Sequence, residues 1–99
     1  MIIVAGTLRL PQASVAEILP FARETLAASR RDAGCIAYSY AFDAEDGGLL
    51  HIFEQWESRA DLDNHLAQPH MGPWRAKLAE VGATDRDLWV HEVESSAQL

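Results

Sequence analysis

Histidine and glutamate, side chains that move protons, gather in one stretch of this 99-residue chain. From Phe53 it reads Phe53-Glu54-Gln55-Trp56-Glu57-Ser58, followed by Leu62, His65, Leu66, Pro69, His70 and Met71. His65 follows Leu62 by three, so it borders a helical apolar stripe and looks into the gap between helix and sheet. Glu54 and Trp56 share one face of a strand. A carboxylate beside an indole is costly to bury unpaired, so Glu54 needs a partner or a wet cavity. Tyr38, on the neighbouring strand, brings a hydroxyl to the same region. Spacing alone is also well served by a satisfied core histidine and a buried Glu–Tyr or Glu–His bond.

Other familiar chemistry is missing from the sequence. There is no GxGxxG after the first strand, no P-loop and no GxSxG elbow. His65 and His70 stand five apart with Pro69 between them, which is not the i, i+4 pair of a helical metal site, so no metal is expected. His91 and Glu92 point to opposite faces of the last strand and read as edge solvation. The single cysteine, Cys35, permits neither an internal disulfide nor a cysteine-only zinc site. Beside Ala37 and Ser39 it reads as a small packing residue. A reducing cytoplasm is the expected address.

The elements that position these residues follow from periodicity. Residues 2–10 alternate as a strand, with Ile2, Val4, Leu8 and Leu10 on one face. Ser14-Val15-Ala16-Glu17 reads as a capping box opening a helix that runs to about Ala33, kinked at Pro20 and stopped by Gly34. Cys35 to Phe42 alternates with Ile36, Tyr38, Tyr40 and Phe42 on one face. Asp43 to Gly48 is a polar, glycine-rich hairpin turn. Leu49 to Glu57 returns with Leu50, Ile52, Glu54 and Trp56 on one face. Ser58 caps a second helix through Leu62 and Leu66, and Pro69 breaks it and opens another segment. There Met71, Trp74, Leu78 and Val81 recur until Gly82. Leu88 to Glu94 is the last strand, and Ser95 to Leu99 a frayed tail.

The order β-α-β-β-α-β with two right-handed crossovers predicts a ferredoxin-like α+β sandwich. It has one four-stranded antiparallel sheet with the helices on one face. Strand faces carrying Ile2, Val4, Leu8, Tyr40, Phe42 and Trp89 are too apolar to be wet on both sides. A two-fold dimer is the simplest cover for the open face. Residues 1–99 make a single domain. Eight Lys and Arg against fifteen Asp and Glu give a net charge of −7. That balance speaks against a nucleic-acid binder and against attachment to anionic lipid. No apolar run is long enough to span a bilayer, and Met1 to Gly6 reads as a strand rather than a signal peptide.

Gly34-Cys35, Tyr38, the acidic turn, Glu54 to Ser58, and Leu62, His65-Leu66 and Pro69-His70-Met71 together resemble the antibiotic biosynthesis monooxygenase family. They look closest to its small bacterial quinol monooxygenases. The resemblance implies a homodimer whose two sheets close an α+β barrel, each subunit holding a cavity between sheet and helices. It implies oxidation of a hydroxylated aromatic or quinol by molecular oxygen without flavin, haem or metal. On that reading His65 is the base, Tyr38 hydrogen-bonds the developing oxyanion, and Phe53, Trp56 and Trp74 wall the cavity with Glu54 and His70. Haem-degrading relatives carry an asparagine in the first strand and a ligating histidine on a later helix. Thr7 and Arg75 fall near those places here and count against haem. The alternative is a non-catalytic, aromatic-metabolite-binding or stress-response protein on the same dimeric barrel.

Overall fold

Side-chain alternation is what the sheet is built on. The computed structural model describes residues 1–99, with strands β1 (Ile2–Arg9), β2 (Cys35–Phe42), β3 (Leu49–Trp56) and β4 (Thr84–Glu92). Three α-helices accompany them, α1 (Val15–Ser29), α2 (Arg59–Leu66) and α3 (Met71–Val81). The strands form one sheet in the order β2-β3-β1-β4, and every neighbouring pair is antiparallel. This is the predicted ferredoxin-like topology, with the second crossover split into α2 and α3 at Pro69. The inward row of β3, Leu50, Ile52, Glu54 and Trp56, is buried as expected. It packs with Ile2, Val4 and Leu8 of β1 against Ile18, Leu62, Met71 and Trp74 of the helices.

Several local expectations are corrected. Ser14 makes no side-chain cap hydrogen bond, because a 3₁₀ turn over Gln12–Ser14 already leads the chain into α1. The helix ends at Ser29 rather than near Ala33, and tight turns from Arg30 to Asp32 fill the gap. Pro20 lies within α1 on its exposed side and the helix continues through it. Gly34 does not end the helix but sits in the turn just before β2 at φ +78°, and a Cβ there would strike the Asp61 side chain. A register shift between Cys35 and Ala37 reverses the expected facing at the start of β2. Cys35 opposes Trp56 and packs inward, whereas Ile36 is half exposed. The last strand starts at Thr84, four residues early, and ends at Glu92. Its polar opening Thr84-Asp85-Arg86-Asp87 hid it from a hydrophobic reading.

The face away from the helices carries Ile3, Ala5, Phe53 and Trp89. Ala5 pairs with Phe53 on one side and Trp89 on the other, so the three form a row across the sheet. Phe53 and Trp89 are 39% and 64% exposed. Ile2, Val4 and Leu8, expected to need a second sheet, are instead covered by the chain's own helices.

Candidate active site

The site grows from two short-range devices and one long-range one. Ser58 caps α2 reciprocally: its Oγ accepts from the Asp61 N–H and donates to the Asp61 carboxylate. Leu62 then anchors the helix in the core, and His65, one turn on, is fully buried between sheet and helix. Its ring lies 4.6 Å from that of Trp56 and 5.2 Å from that of Tyr38, centroid to centroid.

The long-range device is Asp32, from the turn after α1. Its Oδ2 lies 2.8 Å from His65 Nδ1 and 2.9 Å from His70 Nε2. A carboxylate only accepts, so both rings present N–H to it. His65 is therefore fixed in the tautomer whose Nε2 lone pair is free. That nitrogen is buried without a hydrogen-bond partner, 3.9 Å from Glu54 Oε1. Burial pulls the His65 pKa below its usual value, against the opposing pull of Asp32. At neutral pH the ring is a free base.

Glu54 sits on the floor of a cavity of about 480 Å³, within the range of small-molecule sites. Burial raises its pKa to about 7, although the Trp56 Nε1–H, 3.0 Å from Oε1, and the charge of Arg86 both favour the carboxylate. The walls are mostly apolar. Tyr40 stacks on Trp74 with ring centroids 5.1 Å apart and planes 14° from parallel. The hydroxyls of Tyr38 and Tyr40 are 3.0 Å apart, and burial pushes both phenols up, so both stay neutral donors. Arg75 and Arg86 line the cavity with Asp85, whose φ of +52° lies in the left-handed region at the β1–β4 register shift. Arg75 Nη2 donates to the Leu66 carbonyl, which ties the rim to the end of α2.

Residues 1–77 match the family described as antibiotic biosynthesis monooxygenase. The chain belongs to this family. A Synechocystis protein with no characterised function is 26% identical over 98 residues, spanning 99% of this chain and 67% of that protein. A Mycobacterium tuberculosis protein, provisionally named a monooxygenase, is 38% identical over 53 residues, 54% of this chain and 52% of that protein. Its solved structure matches with a TM-score of 0.85 at 24% identity, covering 98% of each chain. A Deinococcus radiodurans crystal structure, provisionally named an antibiotic biosynthesis monooxygenase, matches with a TM-score of 0.91 at 24% identity. It covers 100% of this chain and 98% of its own. These structural likenesses carry the fold.

Within this member of the family, Tyr38, Glu54, His65 and Trp74 all meet at the cavity. Three other expected site residues stand elsewhere. Phe53 is on the opposite face of the sheet, because strand alternation turns it away from Glu54, and it walls nothing here. Trp56 is fully buried behind the floor, where it orients Glu54 and packs on His65. His70 shares Asp32 with His65 and borders a separate groove. Thr7 is on the open face, paired with His51 and Asp87. His91 and Glu92 are exposed, as expected of an edge. The sequence reading missed Asp32, which is 33 residues from His65 and belongs to no pattern that spacing could detect. It also missed Tyr40 as a wall, which its shared strand face with Tyr38 did signal.

Proposed function

We propose that this protein is a monooxygenase that oxidises a hydroxylated aromatic or quinol with molecular oxygen, the organic substrate supplying the electrons. The observation that carries this reading is the proton acceptor at the cavity floor. His65 Nε2 is free, its ring is held by Asp32, and Glu54 Oε1 stands 3.9 Å away, with both residues lining the cavity. A neutral phenol reacts slowly with triplet oxygen, whereas a phenolate gives up an electron readily. Moving the substrate proton onto the Glu54–His65 pair creates that phenolate. Tyr38 and Tyr40 are both held neutral, and whichever hydroxyl is not donating to the other then donates a hydrogen bond to the oxyanion. Tyr40 and Trp74 offer a planar apolar wall to the arene. For a quinol, one oxygen atom enters at an open ring carbon to give the hydroxyquinone and the other leaves as water. A phenol with an open para position gives the quinone with the same balance. No resident redox group is needed for that balance.

The working unit in this proposal is a homodimer covering the open sheet face. The exposed Phe53–Ala5–Trp89 row supports it, since such a face is unfavourable in water.

Oxygen uptake by the purified protein with a panel of hydroquinones and polyphenols tests the activity. Protein-dependent consumption with at least one arene is expected. A rise in melting temperature with the same arenes, without consumption, identifies the non-catalytic binding protein instead.

A further inference from the structure

Asp32, His65 and His70 come from three different elements, yet one ligand-type atom of each lies within 4.8 Å of the others. We propose that this cluster binds one divalent cation of the zinc or ferrous class, through Asp32 Oδ2, His65 Nδ1 and His70 Nε2. We further infer that the bound cation silences the His65 proton acceptor. The second half rests on the function proposed above; the first does not.

Ligands about 2.1 Å from a metal lie roughly 3 Å apart at octahedral right angles and roughly 3.4 Å apart in zinc's tetrahedron. The two nitrogens stand 2.8 and 2.9 Å from the carboxylate oxygen, so little movement admits the ion. Two imidazoles and one carboxylate suit zinc or ferrous ion and leave positions open for water. Imidazole nitrogen disfavours calcium and magnesium, which take oxygen ligands. Both rings now point N–H at Asp32, so the two protons occupy the cation's place. Shifting them through solvent to His65 Nε2 and His70 Nδ1 leaves both rings neutral and releases no net proton. Both atoms are buried without a partner in the present arrangement. The new His65 Nε2–H faces Glu54 Oε1, giving the carboxylate–histidine–metal arrangement that fixes metal-bound rings. The same proton removes the lone pair that accepts from substrate. Entry is by way of His70, whose side chain is 24% exposed and borders a groove with Glu24, Thr25 and Arg31.

Titration of tag-free, chelator-stripped protein with zinc by calorimetry tests the site. One ion per chain is expected, with a Kd of about 10 µM or tighter. His70→Ala should weaken it by at least ~10-fold, and His51→Ala, at the exposed His51–Asp43 pair, should not. X-ray absorption of the zinc-loaded wild type should count two imidazole ligands, whether or not the variant folds. No binding tighter than ~100 µM, equal affinity in His70→Ala, or no imidazole in the spectrum each overturns the site. Inhibition of oxygen uptake should titrate with the calorimetric Kd. Binding without inhibition overturns the silencing and leaves the site standing. Binding by a protein that never consumes oxygen overturns the proposed function alone.

Discussion

Replacing Glu54 by glutamine should make the protein more stable and less active, and the stability gain should grow with pH. Burial lifts the Glu54 pKa from 4.5 to about 7. A raised carboxyl means the folded state prefers the neutral acid. Its favourable contribution is complete below the unfolded pKa and is lost as pH rises through the folded one. Linkage over that interval gives a penalty of about 3 kcal/mol at pH 7 to 8 and under ~1 kcal/mol at pH 5. Glutamine is neutral throughout and keeps a carbonyl oxygen to accept from Trp56 Nε1. Thermal unfolding of both proteins from pH 5 to pH 8 reads the difference. For a chain of this size the gap should open from a few degrees to about 10 °C or more. Turnover of the variant should fall by ~10-fold or more, since the proton-accepting pair has lost its carboxylate. A gap that stays constant across pH, or a wild type that is the more stable at pH 8, would show that Glu54 ionises without penalty. The cavity floor would then not be the dry place described here.

His65→Ala should lower turnover by about 100-fold or more while binding of a redox-inert quinone changes little, because Tyr40 and Trp74 still wall the cavity. Retention of full turnover with lost stability would make His65 structural. Wild-type turnover should rise about tenfold between pH 6 and pH 8 as Glu54 ionises and His65 stays neutral; a flat profile refutes the pair as acceptor. Cys35→Ala should leave activity within about twofold, since burial raises the Cys35 pKa and the charges of Asp32 and Glu54 raise it further; complete loss would make the thiol a participant. Sedimentation should find a dimer burying about 2,000 Å² or more, and Trp89→Glu should dissociate it; a stable wild-type monomer at micromolar concentration refutes the covered face.

How much was legible depended on range. The strands and helices follow from periods of two and 3.6 residues, and the inward row of β3 was read residue by residue. Ile36 was misplaced because the β2 bulge inserts one residue, and period-two reading cannot see an insertion. Phe53 was assigned to the cavity although its own strand's alternation turns it outward. The wall role came from the family resemblance and conflicts with that alternation. The opening of β4 was lost because an edge strand at a cavity rim can be wholly polar. Asp32 had no sequence signal at all. It works by tertiary approach to two histidines, 33 and 38 residues away.

That approach explains why the histidine pair could not be judged from spacing. Pro69 keeps His65 and His70 off one helix, so no helical metal pair forms, and the inference from spacing to geometry stops there. The break nevertheless sets His70 at the head of α3, where it reaches the same Asp32 oxygen as His65. Asp32 and Glu54 then stand at the two nitrogens of one buried imidazole, the first hydrogen-bonded and the second 3.9 Å away. A ring held this way has one proton and two carboxylates competing for it. Whatever occupies the Asp32 side, proton or cation, decides whether the Glu54 side is free to accept. The two proposals made for this chain are thus opposite states of a single ring. Measuring proton acceptance with and without zinc on the same protein tests them against each other.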